Sequence, residues 1–96
     1  VTERRVIRFE VPVDDQDHTL VLPAYSPLLK VGARKVDTVE FWLLEVPSAY
    51  PPTPRAFRVF GTGQPIPDSY TYLGTPEPVA GGALVWHLFE RLMPDG

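Results

Sequence analysis

Ninety-six residues carrying a formal charge of −3 and no cysteine make one domain, residues 1–96. A chain this short buries only about 60–70% of the surface its unfolded form exposes and cannot divide that core in two. The acidic balance argues against general nucleic-acid binding, which needs a basic face to displace counterions from phosphates. Without thiols there is neither a disulfide framework nor a thiolate zinc site.

In chain order, Val6 to Val13 puts Ile7, Phe9, Val11 and Val13 on one face and Arg8 and Glu10 on the other, the period-two pattern of a half-buried strand. Pro12 places it at a sheet edge. Asp14-Asp15-Gln16-Asp17 is a polar turn, and His18 to Leu22 is a second strand closed by Pro23. Leu28 to Val36 is a third, with Gly32 as a bulge or a point of close approach. Thr38 to Val46 is a fourth, and it is apolar on both faces, because Val39, Phe41 and Leu43 alternate with Trp42 and Leu44. That pattern belongs to a central strand.

Ser48 to Pro54 carries three prolines and reads as an exposed loop. A fifth strand covers Arg55 to Phe60, the loop Gly61 to Ser69 follows, and Tyr70 to Leu73 is a sixth strand interrupted by Pro76 and Pro78. Gly81-Gly82 introduces a seventh, Ala83 to Glu90, where a helix competes because Val85, Leu88 and Leu92 also fit helical spacing. The β-branched and aromatic composition favours the strand. About six to seven short strands with regular turn signals indicate an all-β fold, a small antiparallel sandwich or barrel. Open edges and two-faced apolar strands point to a homo-oligomer.

Chemistry-bearing residues are few. Gly61-Thr62-Gly63 lets successive backbone N–H groups converge on an anion, but no lysine follows as in a P-loop. The competing role is a turn or bulge with positive φ, braced by Pro65 and Pro67. Arg55 and Arg58 lie on opposite faces of their strand. Arg58, between Ala56 and Phe60, suits a carboxylate or phosphate, unless it pairs with Glu40, Glu45 or Glu90. His18 with Asp14, Asp15 and Asp17 invites a metal, yet the carboxylates are bunched in one turn without ligand spacing. There is no G-x-S-x-G elbow. His87 with Glu90 or Glu45 is the one general-base candidate, set against a core or interface histidine. Tyr50, Tyr70 and Tyr72 fall in or beside the loops around the Gly-Thr-Gly turn, where a hydroxylated ring can stack on a ligand or anchor a partner.

The stretch Phe57-Arg58-Val59-Phe60-Gly61-Thr62-Gly63-Gln64-Pro65-Ile66-Pro67, with Gly82-Ala83-Leu84-Val85-Trp86-His87-Leu88-Phe89-Glu90, resembles a family of small uncharacterised proteins found in the genomes of phages that infect actinobacteria. The resemblance implies an accessory protein made in the infected host and supplies no catalytic residues. The resulting expectation is a non-enzymatic binding module, without a cofactor, that oligomerises in the host cytoplasm and sequesters a host protein or a small anionic, nucleotide-like signal. Its pocket would be built from Arg58, the backbone of Gly61, Thr62, Gly63 and Gln64, Tyr70 or Tyr72, and His87. The alternatives are a protein-interaction or minor virion subunit, and a hydrolase using His87. No run reaches the roughly 18–20 apolar residues of a membrane span, and no membrane association is expected.

Overall fold

The computed structural model describes residues 3–92. Seven strands alternate with turns: β1 (Arg5–Pro12), β2 (His18–Leu22), β3 (Leu28–Lys35), β4 (Thr38–Glu45), β5 (Thr53–Gly61), β6 (Tyr70–Gly74) and β7 (Trp86–Arg91). They form two antiparallel sheets, one ordered β1-β4-β3 and the other β2-β5-β7-β6. The architecture is all-β and sandwiched, and no helix occurs among the described residues.

The central place of β4 follows from its two apolar faces. Val39, Phe41 and Leu43 are buried against the second sheet, and Trp42 and Leu44 cover the outer face. Phe41 packs on Phe57 of β5 at 4.7 Å between ring centroids, with Phe9 5.5 Å away on its other side. Val11, Leu22, Val59 and Leu88 complete the core, each fully buried apolar side chain contributing roughly 1.5–3 kcal/mol. Trp86 closes one end by donating its indole N–H to the Val36 carbonyl at 2.9 Å.

β1 is an edge strand with Pro12 at its end, where a missing N–H removes little pairing. Gly32 serves both expected purposes. The β3–β4 register slips just after it, and a Cβ at this position would stand 3.1 Å from Trp42 Cζ3.

Two boundaries differ from the sequence expectation by more than one residue. β5 begins at Thr53, inside the proline-rich stretch: β7 pairs only with Ala56–Gly61, so Pro54 meets β2 alone, on an edge-like part of the strand where a missing N–H is tolerated. β7 begins at Trp86, three residues later than the alternation suggests. Val79 and Leu84 bridge across a tight turn in which Ala80, Gly81 and Gly82 all hold positive φ, and this consumes the start of the apolar run.

Candidate functional site

Alternation along β5 divides its side chains. Phe57 and Val59 enter the core, while Ala56, Arg58 and Phe60 lie on the outer face of the four-stranded sheet. Register then sets their neighbours: Arg58 sits opposite Phe89, which sits opposite Tyr72, and Phe60 sits opposite His87. Strands far apart in sequence therefore bring Arg58, Tyr70, Tyr72 and His87 onto one face.

Beneath these side chains is a second, smaller aromatic cluster. Phe60 meets Tyr70 edge-on at 5.1 Å and Phe89 at 5.3 Å, and Tyr72 meets Phe89 at 5.5 Å. Phe60 is as buried as the inter-sheet core. The acidic turn after β1 folds over the far end, where Asp17 accepts the Tyr70 hydroxyl at 2.6 Å and Arg91 Nη1 at 3.0 Å. Tyr70 is thus committed to holding the face together. Tyr72 remains open, 55% exposed.

Arg58 is the chemically unusual group. Its guanidinium carbon lies 4.9 Å from the Phe60 ring centroid, a cation–π position. Its Nε is buried without a hydrogen-bond partner among the described residues. Each carboxylate that the sequence offered it is taken by another arginine. Glu40 holds Arg8 and Arg34, Glu45 holds Arg5, and Glu90 holds Arg55 through both oxygens at 2.6 and 2.7 Å. Arg55, on the opposite face as its spacing required, is structural.

His87 does not meet Glu90 or Glu45. Its Nε2 lies 2.9 Å from Thr62 Oγ1 and its Nδ1 lies 2.8 Å from Thr75 Oγ1, which in turn lies 2.7 Å from the Tyr72 hydroxyl. A neutral imidazole has one donor and one acceptor nitrogen, so this Thr62–His87–Thr75–Tyr72 chain can run in either direction. It ends at two exposed hydroxyls that can donate or accept.

The Gly-Thr-Gly segment is a hydrogen-bonded turn. Gln64 N–H donates to the Gly61 carbonyl at 3.1 Å, and Gly63 has φ 87°, a conformation that favours glycine at the third position of a type II turn. Gly61 N–H donates to Gln64 Oε1 at 3.0 Å, and Gln64 Nε2 reaches Asp15 at 3.0 Å. Two of the N–H groups expected to cradle an anion, those of Gly61 and Gln64, are already engaged. Thr62 instead joins the site through its side chain. The Asp14 carboxyl is held below its ordinary range by the His18 imidazole, 2.8 Å away.

Sequence reading did not place Thr75, Asp17 or Phe89 at this face. Thr75 sits in a Thr-Pro-Glu-Pro stretch that signals only a loop, and Asp17 meets Tyr70 across 53 residues of chain. No local spacing announces either contact.

A family profile described as a domain of unknown function (DUF7352) matches residues 2–95. The chain belongs to that family. No curated protein and no solved structure matches it.

Proposed function

We propose that this DUF7352 member is a non-enzymatic binding protein for a small anionic ligand, held on the outer face of the four-stranded sheet. The observation that carries the reading is Arg58: a half-buried guanidinium with an orphaned Nε and no carboxylate partner among the described residues. An unmet buried polar group costs about 1–3 kcal/mol, and more when charged. A bound carboxylate or phosphate would satisfy it through paired N–H donors. Tyr72 and Phe89 offer ring surface in the same row, and the Thr62–His87–Thr75–Tyr72 chain offers hydroxyls that can donate or accept.

The sequence resemblance to actinobacterial phage proteins supplies the setting. The ligand is then a host component, such as a nucleotide-like signal, sequestered in the host cytoplasm. The open strand edges, with Val6 60% and Val21 69% exposed, support a homo-oligomer. They also favour a second reading, a protein-interaction or minor virion subunit that docks through those edges.

Native mass spectrometry of the protein from infected host cells tests both. The expected result is an assembly carrying a stoichiometric small molecule, lost in Arg58→Met. That variant relieves the orphaned nitrogen and should fold at least as stably as the parent. A parent protein free of any small molecule would overturn the anion reading and leave the edge-docking one.

A further inference from the structure

The opposite sheet carries a different constellation on its outer face. β3 presents Lys30, Gly32 and Arg34 there, β4 presents Glu40 and Trp42, and β1 presents Arg8 and Glu10, with Lys30 opposite Trp42 in the register. The Trp42 indole lies across β3 at Gly32, where a Cβ would stand 3.1 Å from Cζ3 and 3.4 Å from Cη2. Glycine is what lets the ring settle against the strand backbone. Lys30 Nζ stands 5.8 Å from the ring centroid.

Arg34 is fixed in place. It donates Nε and Nη2 to Glu40 at 2.7 and 2.6 Å, which leaves Nη1 without a partner among the described residues. Residues 75–77, which follow β6, form the facing wall, and Thr75 among them also belongs to the hydrogen-bonded chain of the other face. Together Lys30, Gly32, Arg34, Trp42, Pro76 and Glu77 line a cavity of about 400 Å³. Glu77 has no ion pair among the described residues. On a chain of net charge −3, this face and its cavity wall gather Arg8, Arg34 and both lysines against Glu10, Glu40 and Glu77. An excess of one positive side chain on a molecule that is negative as a whole favours an anion at this cavity.

We propose that this cavity is a second ligand site, independent of Arg58, and that it takes a planar nitrogen heterocycle bearing an anionic group. The ring stacks on Trp42, the negative group meets Lys30 and the free Nη1 of Arg34, and Glu77 accepts an N–H from the ring edge. Each part of the site answers one part of such a ligand: an aromatic platform, an exposed cation, a pre-positioned cation and an acceptor.

The test is an NMR titration with adenosine monophosphate, following the indole N–H signals of Trp42 and Trp86, which are assigned with Trp86→Phe. The expected result is a saturable shift of the Trp42 signal with Trp86 unmoved. Affinity should fall about tenfold or more in Lys30→Ala and remain at the parent value in Arg58→Ala. Adenosine should bind about tenfold more weakly than its monophosphate, and inorganic phosphate should leave the ring signal in place. Lys30 is exposed, so its truncation keeps the fold. A Trp42 signal that does not move at millimolar nucleotide, or that moves equally in Lys30→Ala, would overturn the proposal. A shift abolished by Arg58→Ala would overturn its independence from the other face.

Discussion

Glu40 shows at the scale of one residue how this chain handles buried charge. It is 3% exposed, on a face that should be solvated, because two arginines close over it. Arg34 first and Arg8 second hold its carboxyl down from 4.5 to about 2, against the opposing effect of burial. A carboxyl whose folded value lies below its unfolded one stabilises the fold above about pH 4.5 and loses that contribution as the pH falls toward 2. Glu40→Gln should therefore cost about 2 kcal/mol at neutral pH, with solvent screening at the exposed arginines taken into account. The gap between parent and variant should close as the parent carboxyl is protonated. Urea unfolding of both proteins at pH 7, 4 and 2.5 measures that gap, and a constant difference would refute the linkage. Arg58 is the contrasting case. Alternation alone put it beside Phe60, but its lack of a carboxylate became visible only once Glu40, Glu45 and Glu90 had each found another arginine.

At the scale of elements, legibility followed how local the determinants were. β2 is read to the residue because an acidic turn and Pro23 bound it, and β4 is read as central because both of its faces are apolar. The starts of β5 and β7 depend on which neighbour each strand meets and on a turn of three positive-φ residues, neither of which periodicity encodes. The His87 chain was illegible for the same reason: Thr62 and Thr75 approach the ring only through the pairing of β5, β7 and β6. One contact between the sheets is equally hidden. A Cβ at Gly74 would stand 2.7 Å from Val31 Cγ2, so β6 reaches β3 only because residue 74 has no side chain. Gly74→Ala should cost about 1–3 kcal/mol through overpacking. In the Val31→Ala background the added methyl fills space already vacated, and its cost should fall by about 1 kcal/mol or more. A double-mutant cycle by urea unfolding reads this coupling directly, and additive costs would mean that the two strands do not press on each other.

For the whole molecule the question is whether two sheets with different outer faces behave as one body. No covalent staple joins them. They are held by the tilted Phe41–Phe57 ring contact, by the Gly74–Val31 approach and by Trp86, whose indole N–H reaches from the four-stranded sheet to Val36 in the turn joining β3 and β4. Removing a fully buried phenylalanine from such a layer costs about 3–5 kcal/mol, a large share of the roughly 5–15 kcal/mol that stabilises a domain. Neither sheet can then keep its inner face folded without the other. The two tryptophans make this testable, since Trp42 reports on the three-stranded sheet and Trp86 on the four-stranded one. In Trp86→Phe the remaining fluorescence follows the first sheet, and in Trp42→Phe it follows the second. Within each variant the fluorescence and far-ultraviolet dichroism transitions should coincide. The midpoint of Trp86→Phe should be the lower relative to the parent, because phenylalanine cannot donate to Val36. A fluorescence transition that departs from the dichroism in either variant would mean that one sheet opens alone, and a ligand face could then be remodelled without unfolding the other.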